Sequence, residues 1–314
     1  MLKLNVAVFA ILTVWGPVAR ANFISLSYPG AYDTVAEGIN NNGQIVGYQT
    51  GPMNNIFEGF VWDGITYTPI DVPGAFHTIA QGINDLGLIV GYDDSAAGRQ
   101  GFLDNGGVFT TISYPGASET LAYGINNQGQ IAGTYQLPNG HSRGFIYDNG
   151  TYTNFSILGA VDTGVVGIGN GPYGPLVGYY DAGFSTPIHG FVGNIFGYTP
   201  IDYPGAVDTF VTGIPVGGTN NPGNVGFYVD SRGVTHSFRY DQFGYTNIDY
   251  PGAATTHANG INDPGTVVGW YDPPPQKYGF YGVPTPEPSS WILLVAAIPF
   301  AVAAARRQIK HTRT

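Results

Sequence analysis

Short segments in which apolar and polar residues alternate recur through most of the chain, and Gly, Asn or Asp bounds each of them. Four such segments form one unit: a run that ends in Gly-Ile-Asn, a run like Val-Val-Gly-Tyr, a run that begins with Gly-Phe, and a run like Tyr-Thr-x-Ile-Asp. Alternation with a period of two, rich in β-branched and aromatic residues, is typical of half-buried strands. The pattern therefore predicts four short β-strands in each unit.

The unit occurs six times, and each copy is preceded by Tyr-Pro-Gly-Ala or a near variant. These markers start at Tyr28, Val72, Tyr114, Ile157, Tyr203 and Tyr250, so that the repeats are 42 to 47 residues long. In the first copy Asn40-Asn41-Asn42-Gly43 separates strands one and two, and Asp63-Gly64 separates strands three and four. These residues tolerate the positive φ that tight hairpins require, which predicts antiparallel pairing at both places.

A four-stranded antiparallel unit of this length cannot cover both of its faces, and radial packing around an axis solves that problem. Parallel β-helices have shorter repeats, and the leucine ladder of a horseshoe fold is absent from the sequence. The sixth copy lacks its fourth strand, whereas Phe23–Tyr28 is a lone strand ahead of the first copy. We therefore predict an all-β fold, a six-bladed β-propeller of four-stranded antiparallel blades whose last blade is closed by the N-terminal strand.

Composition and charge exclude several classes of function. The chain of 314 residues contains 48 Gly and 23 Pro, which suits many short strands and turns, and it has no Cys for disulfides, thiolate metal sites or cysteine nucleophiles. Positions 22–284 contain five basic and 20 acidic residues, a net charge of −15. Nucleic-acid binding needs a basic face, so that we expect no nucleic-acid partner.

The N-terminus has the three-part layout of a secretory signal peptide. Lys3 provides a basic start, an apolar run extends from Val6 to Trp15, and the small residues Ala19 and Ala21 occupy the positions that signal peptidase reads. We predict a signal helix in residues 1–21 with cleavage after Ala21. The alternative, a buried amphipathic helix, is disfavoured because the run is apolar on every side.

The C-terminus carries a second apolar segment. Trp291–Ala305 contains fifteen uncharged residues and is followed at once by Arg306 and Arg307. It predicts a short transmembrane helix, with the basic cluster on the cytoplasmic side and the preceding chain on the far side of the membrane. The predicted domains are thus a signal peptide at 1–21, the propeller at 22–284 and a terminal segment at 285–314.

The terminal segment resembles the PEP-CTERM sorting signal. Pro286-Glu287-Pro288, the apolar run and the pair Arg306 and Arg307 follow one another in the order that this signal has. The resemblance implies recognition by an exosortase in an exopolysaccharide-producing Gram-negative bacterium, with transient anchoring in the membrane. A C-terminal anchor that is never cut is the alternative.

The repeated core Gly-Ile-Asn-x-x-Gly-x-Ile-Val-Gly-Tyr with a downstream His-Gly-Phe resembles the HAF-type extracellular repeat family. The resemblance covers nearly the whole body of the chain and implies an extracellular location. The His of the motif is present only as His189 and His236. The corresponding positions of the other copies hold Glu58, Gln100, Arg143 and Tyr278. A shared chemical role for that His is therefore not expected in this chain.

The predicted topology places the variable connections on one face of the propeller. These are the loops between strands two and three and the links between blades, and we call the surface they form the variable face. The residue before the repeated Thr should form a rim around its channel mouth, and its members are Asp33, His77, Glu119, Asp162, Asp208 and Thr255. Such carboxylates could bind Ca²⁺, the one cofactor that the sequence suggests; the alternative is turn chemistry in which Asp bonds its own backbone.

Other side chains on this face have two interpretations each. The histidines are His77, His141, His189, His236 and His257. Rotational symmetry scatters them, so that surface positions are favoured over a zinc site. The aromatic residues that end the second strands are Tyr48, Tyr92, Tyr135, Tyr180, Tyr228, Trp270 and Tyr271. They could stack on sugars, but packing between blades is the favoured interpretation.

The sequence contains no Gly-x-Ser-x-Gly elbow, phosphate-binding loop or His-Glu-x-x-His motif. We expect a non-enzymatic structural, adhesive or interaction module of the cell envelope or biofilm matrix. Its expected partners are exosortase and signal peptidase during processing, the membrane through the C-terminal segment, and exopolysaccharide or matrix proteins at its destination. A carbohydrate-binding lectin is the first alternative, and a propeller hydrolase or lyase is the second.

Overall fold

The computed structural model describes residues 22–283 apart from 53–55, 172, 184–185 and 218–221. Ala21–Pro284 forms one compact unit. The predicted signal and sorting segments, with Ala19, Ala21, Pro286, Glu287, Pro288, Arg306, Arg307 and both terminal helices, lie outside the described residues. Within the described ranges no helix is long and apolar enough to cross a membrane.

The described chain is all β, with 24 strands arranged as six four-stranded antiparallel sheets. Blade 1 contains β2 (Asp33–Ile39), β3 (Ile45–Thr50), β4 (Phe57–Trp62) and β5 (Tyr67–Ile70). Blade 2 contains β6 (His77–Ile83), β7 (Ile89–Ser95), β8 (Gly98–Asn105) and β9 (Val108–Ile112). Blade 3 contains β10 (Glu119–Ile125), β11 (Ile131–Gln136), β12 (Ser142–Asp148) and β13 (Thr151–Phe155).

The remaining three blades repeat this order. Blade 4 contains β14 (Asp162–Ile168), β15 (Leu176–Asp181), β16 (His189–Asn194) and β17 (Gly197–Ile201). Blade 5 contains β18 (Asp208–Gly213), β19 (Asn224–Val229), β20 (Thr235–Asp241) and β21 (Gly244–Asn247). Blade 6 contains β22 (Thr255–Ile261), β23 (Val267–Asp272), β24 (Tyr278–Val283) and β1 (Asn22–Leu26).

The N-terminal strand completes the last blade, as the incomplete sixth repeat predicts. β1 pairs antiparallel with β24 from Asn22 opposite Val283 to Leu26 opposite Gly279. The strand ends at Leu26, two residues short of the predicted Tyr28, because the Tyr28 carbonyl accepts a turn hydrogen bond from the Ala31 amide at 3.1 Å. The two ends of the described chain thus share one sheet, and the six-bladed ring closes.

Burial between blades explains the apolar repeat. The Phe near the start of the third strand of each blade follows Gly in five copies and Ser237 in the fifth, and it has at most 1% of its surface exposed. These residues are Phe60, Phe102, Phe145, Phe191, Phe238 and Phe280. Each core cluster joins neighbouring blades; Val46 of blade 1, for example, packs with Ala80 and Phe102 of blade 2. Removal of this apolar surface from water is the main force that holds one blade on the next.

The repeated Gly-Ile-Asn has a structural explanation in the side chain of its Asn. Asn40 is fully buried, and its Oδ1 accepts hydrogen bonds from the amides of Asn42 and Gln44, which fixes the turn from β2 to β3. Its Nδ2 donates at 3.0 Å to the carbonyl of Asn84 in blade 2. Asn84, Asn126 and Asn262 reach the next blade in the same way. In these four blades the motif therefore ties the turn to the next blade, and this role needs no ligand.

Candidate functional site

The rim residues begin the innermost strands, but their side chains bond the preceding blade. An amide at or near the start of the preceding third strand donates to each of four rim side chains. These bonds are Lys277 N to Asp33 Oδ1 (2.8 Å), Phe57 N to His77 Nδ1 (3.1 Å), Ser142 N to Asp162 Oδ1 (2.5 Å) and Ile188 N to Asp208 Oδ1 (2.9 Å). Turn chemistry would have each Asp side chain accept a hydrogen bond from its own backbone. The observed donor is instead an amide of the neighbouring blade.

The rim residue Glu119 makes an ion pair instead. Glu119 Oε2 lies 3.7 Å from the Arg99 guanidinium of blade 2. Across the residues that the structure describes, no three His, Asp or Glu side chains come together as ligands for one metal ion. Five of the six rim side chains therefore contribute contacts between blades, whereas the Thr255 hydroxyl donates to Asp272 of its own blade.

The histidines separate into two environments. His141 lies at the variable face, 3.5 Å from Asp162, and His189 and His236 pair with Asp202 and Asp249 at 3.0 and 2.7 Å. His257 differs from the predicted surface position because it is the third residue of an inner strand, stacked on Trp270 with ring centroids 4.0 Å apart. Burial, aided by the charge of Lys277, lowers the pKa of His257 to about 4.

The aromatic residues that end the second strands pack against other rings. Tyr135, Tyr228 and Tyr271 stack on the link residues Tyr114, Tyr203 and Tyr250, with centroids 3.7, 3.8 and 3.6 Å apart. Tyr135 and Tyr228 have at most 9% of their surface exposed. These rings therefore fill the space between blade and link and leave no free face for a sugar.

A small cavity lies in the central channel. In every blade the ladder between the first two strands shifts by one residue, and the bulged residue borders the channel. These residues are Glu37, Gln81, Tyr123, Val166, Thr212 and Asn259. The cavity has a volume of about 70 Å³, enough for a few water molecules and too small for a sugar ring.

Glu37 is the charged member of this inner ring. Its Oε2 accepts a hydrogen bond of 2.9 Å from Asn259 Nδ2. Its side chain keeps some accessible surface because it borders the cavity, yet protein surrounds it deep in the channel. Burial raises the pKa of Glu37 to about 8, although the charge of Lys277 and a hydrogen bond from Gln81 act in the opposite direction.

The raised pKa of Glu37 predicts that stability falls between pH 6.5 and 8. The Glu37 carboxyl group keeps its proton up to about pH 8 in the folded state but loses it near pH 4.5 in the unfolded state. Its contribution to the free energy of unfolding is therefore fully present below pH 4.5 and is lost as the pH rises through 8. His257 affects stability only below pH 6.5, its pKa in the unfolded state. There its lowered pKa in the folded state makes the protein less stable as the pH falls. Denaturant unfolding at pH 6.5 and 8 should show a decrease of up to about 2 kcal/mol.

Glu37→Gln should flatten this dependence, because the amide has no proton to lose. Glu58→Gln is the matched control, since Glu58 is exposed at the variable face. A pH dependence that survives Glu37→Gln unchanged would show that another group is responsible.

A concave feature lies between blades 1 and 2 at the variable face. We call it the blade 1–2 cleft; its cavity of about 670 Å³ is lined by Ile56, Phe57, Glu58, Pro69, Ile70, Asp71, Ala75, Phe76, His77 and Thr78. This volume lies within the usual range for small-molecule sites. The buried Ile70 forms an apolar floor, and the walls include Ile56 and Phe76, which are 40% and 62% exposed.

Polar groups in the cleft surround this apolar surface. Glu58 and Asp71 are exposed carboxylates on β4 and immediately after β5. His77 Nδ1 accepts a hydrogen bond from the Phe57 amide. In the neutral imidazole the proton is therefore on Nε2, which is left as a hydrogen-bond donor. An exposed aromatic ring beside acceptors and a donor is an arrangement that can hold a sugar by stacking and hydrogen bonds.

Glu58 and His77 belong to two separate sets of residues predicted from the sequence, and Phe76 belongs to neither of them. Phe76 follows Pro73-Gly74-Ala75 in the link, where other copies have Tyr32, Ser118, Val161, Val207 and Ala254. A large aromatic residue at a position where several other copies have a small residue could have identified Phe76 from the sequence. The cavity itself depends on how two blades meet, which no local pattern encodes.

The fold is similar to that of solved structures of other proteins. A structure of an AofleA mutant from Arthrobotrys oligospora matches with a TM-score of 0.54 at 13% identity, covering 85% of this chain and 88% of that one. SapL1 lectin in complex with α-methyl fucoside matches with a TM-score of 0.52 at 12% identity, covering 79% and 89%. A fungal lectin from Aleuria aurantia, described as a six-bladed β-propeller, has a TM-score of 0.44 at 16% identity, covering 70% and 80%.

At these identities the first two likenesses show the fold alone, and the third carries no argument. No protein-family model matches the chain, and no curated protein matches its sequence.

Proposed function

We propose that this chain is an exported, non-enzymatic β-propeller that adheres to carbohydrate polymers of the cell envelope or extracellular matrix through the blade 1–2 cleft. The observation that carries the proposal is the exposed ring of Phe76 above a cavity of about 670 Å³ with polar groups at its edge. Binding of α-methyl fucoside by SapL1 lectin, a protein of similar fold, supports carbohydrate as the ligand class.

The proposed location rests on the two ends of the sequence. The signal peptide at 1–21 would direct export and cleavage by signal peptidase, and Pro286-Glu287-Pro288 with Arg306 and Arg307 would direct recognition by exosortase. The resemblance to HAF-type extracellular repeats agrees with this destination. Exopolysaccharide is then the polymer that the cleft would meet first.

Hydrolysis is the second candidate, because two carboxylates line the same cleft. A glycosidase needs one carboxyl group that stays protonated as a general acid, which enzymes obtain by burial. Glu58 and Asp71 are both exposed and lack that burial. We therefore favour binding, and the absence of new reducing ends after incubation with a bound glycan would support this choice.

The proposal predicts that the purified full-length chain binds members of a panel of neutral, acidic and amino glycans. Phe76→Ser should weaken the best interaction at least tenfold, because a sugar ring loses the apolar surface on which it stacks. Val207→Ser is the matched control; Val207 is 48% exposed at the same link position between blades 4 and 5. Equal affinity of the wild type and Phe76→Ser, or binding to no glycan, would contradict the proposal.

A further inference from the structure

The third and fourth strands of each blade place two particular side chains side by side at the variable face. In blade 1 Gly59 pairs with Ile70, so that Glu58 and Asp71 occupy the next antiparallel position. By the same register, the other blades hold Gln100 and Ser113, Arg143 and Ser156, His189 and Asp202, His236 and Asp249, and Tyr278 and Ser27. Directly opposite residues lie about 5 Å apart at Cβ, within reach of one another.

Blades 4 and 5 fill this position with an acid and a base. His189 Nδ1 lies 3.0 Å from Asp202 Oδ1, and His236 Nδ1 lies 2.7 Å from Asp249 Oδ2. Each imidazole is also stacked on a tyrosine, Tyr180 or Tyr228. The carboxylates of these two blades therefore have a partner within the protein.

Blade 1 keeps the acid of this pair and replaces the histidine with a second acid. Glu58 accepts a hydrogen bond of 2.6 Å from Gln49 Nε2, a neutral group. Among the residues that the structure describes, Asp71 has no side-chain hydrogen bond and neither carboxylate has an ion pair. Two adjacent carboxylates repel each other, and a cation between them would relieve that repulsion.

We propose that the blade 1–2 cleft selects carbohydrate that carries a protonated amine, with the ammonium group of an amino sugar between Glu58 and Asp71. The inference rests on the proposed function and specifies its ligand class. The ammonium group would be a partner for Asp71, as the imidazole is for Asp202 and Asp249 in blades 4 and 5, and it supplies three donors to carboxylate acceptors. The ring that carries it lies against Phe76 in the same cavity.

Three features of the cleft favour an amino sugar over other cations. The cavity is far larger than a metal ion needs, and it presents an apolar floor at Ile70 and an apolar wall at Phe76. No third His, Asp or Glu completes a metal-ligand group in the described part of the chain. The body's net charge of −15 attracts cationic polymers and repels acidic ones before contact.

The test compares three tetrasaccharides of equal length against the full-length chain by calorimetric titration near pH 6. They are a glucosamine tetramer, its fully N-acetylated form and a glucose tetramer. We expect the glucosamine tetramer to bind at least tenfold more tightly than the other two, with an affinity that falls as salt is added.

Variants at the paired position separate charge from shape. Glu58→Gln and Asp71→Asn should each weaken glucosamine binding about fivefold and leave the neutral tetramers unaffected. Glu58→His rebuilds the pair of blades 4 and 5 and should weaken glucosamine binding more than tenfold. Asp202→Asn changes the acid of blade 4 and is the matched control, for which we expect no change. All three positions are at the surface, so that folding is preserved, and circular dichroism verifies it for each variant.

The outcomes distinguish this inference from the proposed function. Equal affinity for charged and neutral tetramers, with loss of both in Phe76→Ser, would overturn the amine selection and leave the carbohydrate site in place. An amine preference that survives Glu58→His would also overturn it. Failure of every tetramer and of the whole glycan panel would refute the proposed function itself.

Discussion

Gly47→Ala should destabilise the propeller by about 3 kcal/mol, through a collision that the backbone cannot avoid. Gly47 lies in β3, and a Cβ atom there would be 1.9 Å from the carbonyl oxygen of Val35 in β2. Such a contact can be relieved only if the two strands separate and the ladder between them is lost. Gly91, Gly133, Gly178, Gly226 and Gly269 occupy the same position in the other blades, with closest distances of 1.9 to 2.1 Å.

Gly197→Ala provides the matched control because Gly197 also lies in a strand, β17. A Cβ atom at that position meets nothing within 4 Å, and its φ lies outside the left-handed region. Guanidinium unfolding followed by circular dichroism should show a change within about 0.5 kcal/mol for this variant. Similar losses for both variants would mean that the close approach at Gly47 is absent.

Leu26→Asp should cost about 4 kcal/mol, because it places a carboxylate in the seam that closes the ring. Leu26 is 4% exposed and packs in a cluster with Phe60 of blade 1 and Val268 of blade 6. The substitution removes apolar contacts and buries a charge without a partner. It therefore weakens the sixth blade where the N-terminal strand joins it.

Ile24→Asp on the same strand is the control, since Ile24 is 53% exposed. Its side chain lies on the same face of the strand as Leu26 but is open to solvent near the start of β1, and we expect a loss of at most about 1 kcal/mol in the same unfolding experiment. If the two variants lose equal stability, β1 does not pair with β24 in the register described.

The architecture of the body could be predicted because each repeat contains local sequence patterns for its strands and turns. Alternating segments predict strands, and Gly43 and the pair Asn149 and Gly150 supply the left-handed turns at φ of 81°, 47° and 90°. The missing fourth strand of the last repeat predicted that β1 would close the ring. These features depend on residues that are close in sequence and on the number of strands in each repeat.

The site could not be predicted to the same extent, because it depends on contacts between blades. The acids of the rim, such as Asp33 and Asp162, bond amides of the preceding blade, which lie 244 and 20 residues away in sequence. The channel position of Glu37 follows from a bulge that shifts the alternation by one residue. Phe76 borders a cavity that Ile70 and other residues of blade 1 also line.

A crystal structure of the chain with the most tightly bound glycan of the panel would locate the binding site. We expect density for a sugar in the blade 1–2 cleft, with one ring against Phe76 and polar groups directed to Glu58, Asp71 and His77. A glycan bound at any other surface, with the blade 1–2 cleft empty, would rule out the proposed site.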